Sequence, residues 1–569
     1  MTGAEAIAGI LSAQGVRTVF ALAGASHTHL LDQLELGGFA IVPSRHEAGT
    51  VGAADGYARA LADQRPMRPG VGLIVSEQGI ANAVGGLAVA YALGSPVVVL
   101  AAIPPAGFVE PANLIASAQL DIVRPVSKWA RIARVRAELG DLVREAVLAS
   151  ISDRPGPAVL FIPQDLFREE GPACNHEPIE ATPSEPDEAQ IEHAASLLNE
   201  AERPLAISGF GAFRGRTGEG LQRLAALGVP VLGNGSGRGL VPEDGERGWS
   251  WPYAQHLACE ADCVIVVGEV LTQRLGFGLP PRFSPKAKFI QIDVDPTAFH
   301  RNRPTDAPIA GDPARAIDGL LSRLRRSWDA SWLAKGLAEK DGLMASLAKA
   351  EGAAIHPLAL GEAVQAHLGE HTILVGDGAD IQNWMYGALK VRRGGGFIDH
   401  FPLGAMGSGT ALAVGAAAAM KEGALASGNP PAGVVLVTGD GAIGFHPGEL
   451  HAAALAGLDL KVIVGNDGAW GTERHGQLSA IGRTVNTDLG GAAYDKVAQG
   501  FGLSAARCDH RAELEEAVEK LFGMRGPALL DVTIDPDAGA QLTYDPRLSS
   551  IRFSDLAEGK SALEGEQER

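Results

Sequence analysis

The chain has 569 residues, enough on length alone for about four domains, and its 46% hydrophobic to 20% charged residues is the balance of a globular protein with ample core. A formal net charge of -19 argues against nucleic acid and anionic membrane as partners, because phosphate recognition normally shows as a basic stripe. Four cysteines, Cys174, Cys259, Cys263 and Cys508, are too few for a disulfide framework or a closed zinc site, and Met1 is followed by no basic n-region, so a cytoplasmic protein is expected.

Strands alternate with helices in three rounds, the pattern of parallel sheets covered on both faces. In the first, a short apolar strand near residue 41 runs into a small-residue helix that Glu47 opens, where a carboxylate favours the positive end of the helix dipole. Residues 80–109 carry no charge and are long enough to suggest a membrane helix. Gly85, Gly86, Gly94, Pro96, Pro104 and Pro105 split them instead into a buried helix over 82–93 and a strand over 96–102. The round closes with a strand over 157–163, and a polar, proline-containing linker occupies 169–187. The second round opens at Pro204 with a strand into a glycine turn and continues through strands over 262–268 and 288–295. A charged helical connector over 316–350 leads to the third. The predicted architecture is α/β, with three doubly wound parallel-sheet domains over residues 1–168, 188–325 and 355–540 and a tail, 541–569, without periodicity. The first and third rounds could be related.

The third round carries the most informative residues. An apolar strand breaks at Gly439-Asp440-Gly441, and a second strand over 460–464 leads to Asn466. A carboxylate and an amide oxygen can therefore meet at the carboxyl edge of one sheet, where open α/β folds place ligands. That pair suits a hard cation such as Mg2+, which keeps other oxygens from phosphate and water. Two turns after core strands would read the same way. Two further segments change the balance: Arg45-His46-Glu47-Ala48 followed by Ala53-Ala54-Asp55-Gly56-Tyr57-Ala58, and the small-residue loop that holds Gly404 and Met406 before an apolar helix.

Together, in this order, the three segments resemble the thiamin diphosphate enzymes, in particular the acetolactate synthase-like superfamily. The resemblance covers nearly the whole chain and implies a pyrimidine-binding, a central and a diphosphate-binding domain. It implies that Asp440 and Asn466 are side-chain ligands of Mg2+ and that Gly468 adds its carbonyl. It assigns Gly378, Ala379, Gly439, Gly441 and Ala442 to the cofactor, Gly404 to its 4′-amino group and Met406 to the prop beneath its bent shape. Glu47 is implied to exchange a proton with the aminopyrimidine, which leads to a C2 ylide. The glutamate in relatives faces the metal aspartate of another subunit. A homodimer or homotetramer is thus expected, with the helices beginning near Ala48 and Met406 at the contact.

In the second round, the segments around Leu275 to Phe283 and His300 to Pro304 are similar to the central domain of 2-hydroxyacyl-CoA lyases and oxalyl-CoA decarboxylases. Some relatives bind FAD or ADP here. Asp293 and Asp312 are where a ribose could be held, though both read equally as turn residues, so no FAD or ADP is assigned. Catalytic candidates beside Glu47 are His27, next to Ser26 and His29 and one residue from the histidine of benzaldehyde lyase-like enzymes, and Gln119. Glu77 and Gln78 depart from relatives and could reshape the pocket, and Trp470, Glu473 and His475 are candidates to line it. The expected activity is a carbon–carbon lyase or carboligase acting on a 2-hydroxyacyl-CoA, a 2-hydroxy ketone or a 2-oxo acid. Acetolactate synthase-like carboligation and 2-oxo acid decarboxylation share every motif, and an inactive regulatory subunit is the non-enzyme alternative.

Overall fold

The computed structural model describes residues 1–75, 78–108, 118–348, 354–427 and 433–540, with Lys560. Glu77 and, apart from Lys560, the tail 541–569 lie outside the described residues.

Among the described residues, eighteen strands form three six-stranded sheets in which every pair runs parallel. The first holds β1 (Thr18–Ala21), β2 (Ala40–Pro43), β3 (Gly70–Val75), β4 (Val97–Ile103), β5 (Trp129–Ile132) and β6 (Ala158–Pro163) in the order β2-β1-β3-β4-β6-β5. The second holds β7 (Pro204–Ser208), β8 (Val231–Gly233), β9 (Gly248–Ser250), β10 (Cys263–Val267), β11 (Lys288–Asp293) and β12 (Ala307–Ala310) in the order β12-β11-β10-β7-β8-β9. The third holds β13 (Ile373–Gly376), β14 (Phe397–Asp399), β15 (Val434–Gly439), β16 (Leu460–Asn466), β17 (Ser504–Cys508) and β18 (Ala528–Thr533) in the order β14-β13-β15-β16-β18-β17. First and third sheets thus repeat one topology strand for strand. Central strands such as β4 and β16 are apolar runs buried along their whole length, as sheets covered on both faces require.

The helix that Glu47 opens, Glu47–Ala60, and its topological counterpart Gly409–Ser427 pack against each other between these two sheets. Their small residues are the reason. A Cβ on Gly52 would stand 2.8 Å from that of Ala411, one on Gly56 would collide with the Leu412 carbonyl, and one on Gly415 with the Ala53 carbonyl. These helices, expected between subunits, therefore spend their glycine faces on each other within one chain.

Other boundaries shift for local reasons. The first-round helix spans Gln78–Leu93, starting four residues before the expected position, and so carries Asn82 in its first turns. The connector is two helices, Pro313–Leu321 and Ser331–Ala348. Between them the buried Trp328 donates from Nε1 to the Ala201 carbonyl, which docks the segment on the central domain, and Asp329 accepts from the Ser331 N–H to start the second helix. Among the described residues no helix is long and apolar enough to cross a membrane.

Candidate active site

In the third sheet the strand order reverses between β13 and β15, and chain segments leaving both strands border one pocket there, at the topological switch point. Gly378, Ala379, Met406, Gly439, Asp440, Gly441 and Ala442 all line it, as do Trp470 and Glu473. Asn466 ends β16 beside it and accepts from the Gly468 N–H at 3.3 Å. Gly378 and Gly468 adopt φ of 91° and 67°, a left-handed backbone that side-chain-bearing residues rarely take. Trp470 closes over the turn, since a Cβ on Gly441 would sit 2.5 Å from its ring.

The electrostatics of this pocket are one-sided. Asp380, Asp440, Asp467 and Glu473 border it, and among the described residues no lysine or arginine does. Burial, then the charge of Asp467, holds Asp440 well above the usual carboxylate range. Burial, Asp467 and Glu473 push Asp380 up to about 7. Such crowding is relieved by a cation. Among the described residues no three His, Cys, Asp or Glu side chains converge as a closed metal site, so a cation here would draw on an amide, a backbone carbonyl, phosphate and water. The donors are hard oxygens, and the residues fit Mg2+ carrying a diphosphate.

The loop that carries Met406 is anchored by Asp377, which sequence reasoning passed over. Its buried carboxylate accepts from the N–H groups of Gly378 at 2.7 Å, Gly407 at 3.1 Å and Gly409 at 2.7 Å. Gly404 lies in the same loop, its N–H donating to the His400 carbonyl at 3.0 Å.

Glu47 lies elsewhere. It is buried as the first residue of its helix, with His46 as the N-cap accepting from the Ala48 N–H at 3.1 Å. Asn82 Nδ2 donates to Glu47 Oε2 at 3.0 Å, and Gly79 leaves space beside Oε1, where a Cβ would stand 3.2 Å away. A second carboxylate, also missed, steadies this corner. Glu449, on the helix Gly448–Leu455, accepts from the N–H groups of Arg45 and His46 at 3.1 Å each. Burial pushes Glu449 up to about 7 against the pull of those two amides.

His27 is buried in the turn after β1, its ring against the Leu22 backbone. Burial lowers the pKa of His27 and a hydrogen bond to the Leu22 backbone only partly opposes this, which favours the uncharged ring. His29 is exposed, as is Gln78. Gln119 is buried at the start of a short helix packed on Gln78–Leu93. His475 is buried and does not line the pocket, although it was a candidate for it; its Nε2 and Asp380 Oδ2 would each stand 2.7 Å from a Cβ on Gly539.

In the central domain, Asp293 borders a cleft with Arg154, Arg214 and Glu269. Its Oδ1 accepts from the Asp295 N–H at 2.9 Å, and burial pushes it up to about 6. Asp312 caps the helix Pro313–Leu321 by accepting from the Arg315 N–H at 3.1 Å. Both carboxylates thus have the turn and cap work that the residue-level reading allowed.

Comparison with known proteins agrees with this layout. Residues 1–122 match the family of thiamine pyrophosphate enzyme N-terminal TPP binding domains, 191–320 the central domain and 357–532 the C-terminal TPP binding domain. A probable acetolactate synthase of Mycobacterium bovis is 30% identical over 94% of this chain and 96% of its own. A probable acetolactate synthase large subunit of Methanocaldococcus jannaschii is 29% identical over 98% of both chains. The 2-hydroxyacyl-CoA lyase of Arabidopsis thaliana is 28% identical over 94% of this chain and 96% of its own.

Proposed function

The chain belongs to the thiamine pyrophosphate enzymes of the acetolactate synthase-like superfamily, and on that premise we propose that it makes or breaks a carbon–carbon bond beside a carbonyl, with Mg2+ as the second cofactor. The observation that carries the proposal is that β15 and β16 bring Asp440 and Asn466 to one sheet edge, beside a pocket bordered by four carboxylates and, among the described residues, by no basic side chain. Asp440, Asn466 Oδ1 and the Gly468 carbonyl would hold Mg2+. The small residues Gly378, Ala379, Gly439, Gly441 and Ala442 let backbone approach a diphosphate, and Gly404 and Met406 would support the rest of the cofactor. Bound thiamin diphosphate supplies a nucleophilic carbon and an electron sink for a carbanion.

The chain's own residues do the proton work and the positioning. Asn82 fixes Glu47 Oε2, which leaves Oε1 to take up and release a proton. Buried His27, whose burial favours the uncharged ring, is suited to orient a substrate oxygen or accept its proton, and Gln119 is the second candidate for this role. The described residues that line the pocket all lie between 378 and 534, so we assign the facing Glu47 to a second copy of the chain, in a homodimer or homotetramer.

Acetolactate synthases among the relatives favour carboligation of a 2-oxo acid, and the 2-hydroxyacyl-CoA lyase supports cleavage of a 2-hydroxyacyl-CoA as the second reading. The test is a turnover screen of pyruvate, 2-hydroxyacyl-CoAs and benzoin with protein dialysed against a chelator. Turnover of at least one substrate is expected only when thiamin diphosphate and Mg2+ are both restored. No turnover of any of them with both present would sink the assigned reaction class.

A further inference from the structure

Asn466 offers an amide, and an amide presents oxygen to the pocket in only one of its two orientations. Its Nδ2 donates to the Ala492 carbonyl at 2.9 Å and to Asp531 Oδ1 at 3.0 Å, so both amide hydrogens are engaged. Turned over, the oxygen would face a carbonyl and a carboxylate, two acceptors, and both hydrogen bonds would be lost. Asp531 therefore fixes which atom Asn466 shows.

Asp531 is fully buried on β18. Thr533 pairs with Asn466 across the ladder, which puts Asp531, two residues earlier, on the same face of the sheet. Its second oxygen accepts from the Tyr494 N–H at 3.1 Å, satisfying an otherwise unpaired donor in the first turn of the helix Tyr494–Gly500, and lies 3.4 Å from Arg507 Nη1. Tyr494 then donates from its hydroxyl to the Asp440 backbone carbonyl at 2.7 Å. One buried carboxylate is thus tied to Asn466 directly and to Asp440 through a single tyrosine.

We propose that Asp531 and Tyr494 are positioning residues that hold the Asn466 oxygen and the Asp440 turn at a fixed separation, and so set the affinity of this edge for Mg2+. This rests on the thiamin diphosphate reading of the site. Partners of this kind behind metal ligands typically govern about 10–100-fold in affinity.

The test is isothermal titration of thiamin diphosphate at a series of Mg2+ concentrations, with kcat measured alongside. In Asp531→Asn the new amide can donate to the Asn466 oxygen and permit the reversed orientation, so the Mg2+ needed for half-maximal binding should rise about 10–100-fold. Tyr494→Phe keeps the ring and its packing and loses one hydrogen bond, so a rise of about 2–10-fold is expected. Both losses should fall on the Mg2+ requirement more than on kcat, a split that damage to the fold alone would not give. Should Asp531→Asn fail to fold by circular dichroism, Tyr494→Phe decides. A wild-type Mg2+ requirement in a folded variant overturns this inference alone, whereas no Mg2+-dependent binding by the unaltered chain overturns the functional reading with it.

Discussion

Replacing Glu47 with glutamine tests the assigned proton chemistry with little disturbance of packing. Asn82 Nδ2 donates to Glu47 Oε2, so the amide oxygen of the variant should settle there and keep the bond. Its NH2 group then takes the place of Oε1, in the space that Gly79 leaves open. That group donates hydrogen bonds and cannot take up a proton and return it. The fold loses a charge-assisted bond and keeps a neutral one, a cost of about 1 kcal/mol. Catalysis loses a positioned acid–base, typically about 10²–10⁴-fold, equivalent to about 3 to 5 kcal/mol of barrier. Glu47→Gln should therefore melt near the wild type and bind thiamin diphosphate, with kcat down by that factor. Exchange of the cofactor C2 proton into deuterated water, followed by NMR, should slow in parallel. Exchange at the wild-type rate would refute the role of Glu47 and withdraw the alignment of the N-terminal segment.

Asp440→Ala should abolish Mg2+-dependent retention of the cofactor on dialysis, and undiminished affinity would mean that the metal assignment is wrong. Glu449 makes a pH prediction. Burial raises it from 4.5 to about 7, so its contribution to stability is complete below pH 4.5 and is lost as pH climbs through 7, a change of about 3 kcal/mol. Glu449→Gln keeps an acceptor for Arg45 and His46 but does not titrate, so its urea stability should fall less between those pH values; parallel curves for the two proteins would contradict the argument. Light scattering should find at least a dimer, and a fully active monomer would remove the case for a site shared between copies.

What the sequence made legible follows the range of the interactions involved. β4, β10 and β16 stand out as apolar runs because strands in covered parallel sheets are buried on both sides, and Asp440 stands out because glycine interrupts one of them. The kinship of the first and third rounds was readable through the resemblance, whereas the strand-for-strand order of their sheets is carried by long-range pairing. The supporting carboxylates were silent for the same reason. Asp377 reaches Gly407 across 30 residues, Asp531 reaches Asn466 across 65, and Glu449 reaches Arg45 across 404. Each is an ordinary acid until the fold supplies its partner. His475 differs: the resemblance named a whole segment, and within it the fold brings Trp470 and Glu473 to the pocket while His475 is buried and is not among the residues bordering it.

The contact between the helices Glu47–Ala60 and Gly409–Ser427 limits how this enzyme can change. At Gly56 and Gly415 the opposing atoms are carbonyl oxygens of the other helix, and main chain cannot be trimmed by mutating a neighbour. A larger residue there has no second-site remedy. Met406, by contrast, faces a pocket whose shape is set by side chains such as Trp470. Selection for a new substrate should therefore accumulate changes around Met406 and Trp470 and leave the paired glycines untouched, so that new specificities are written on a frame shared by the first and third domains.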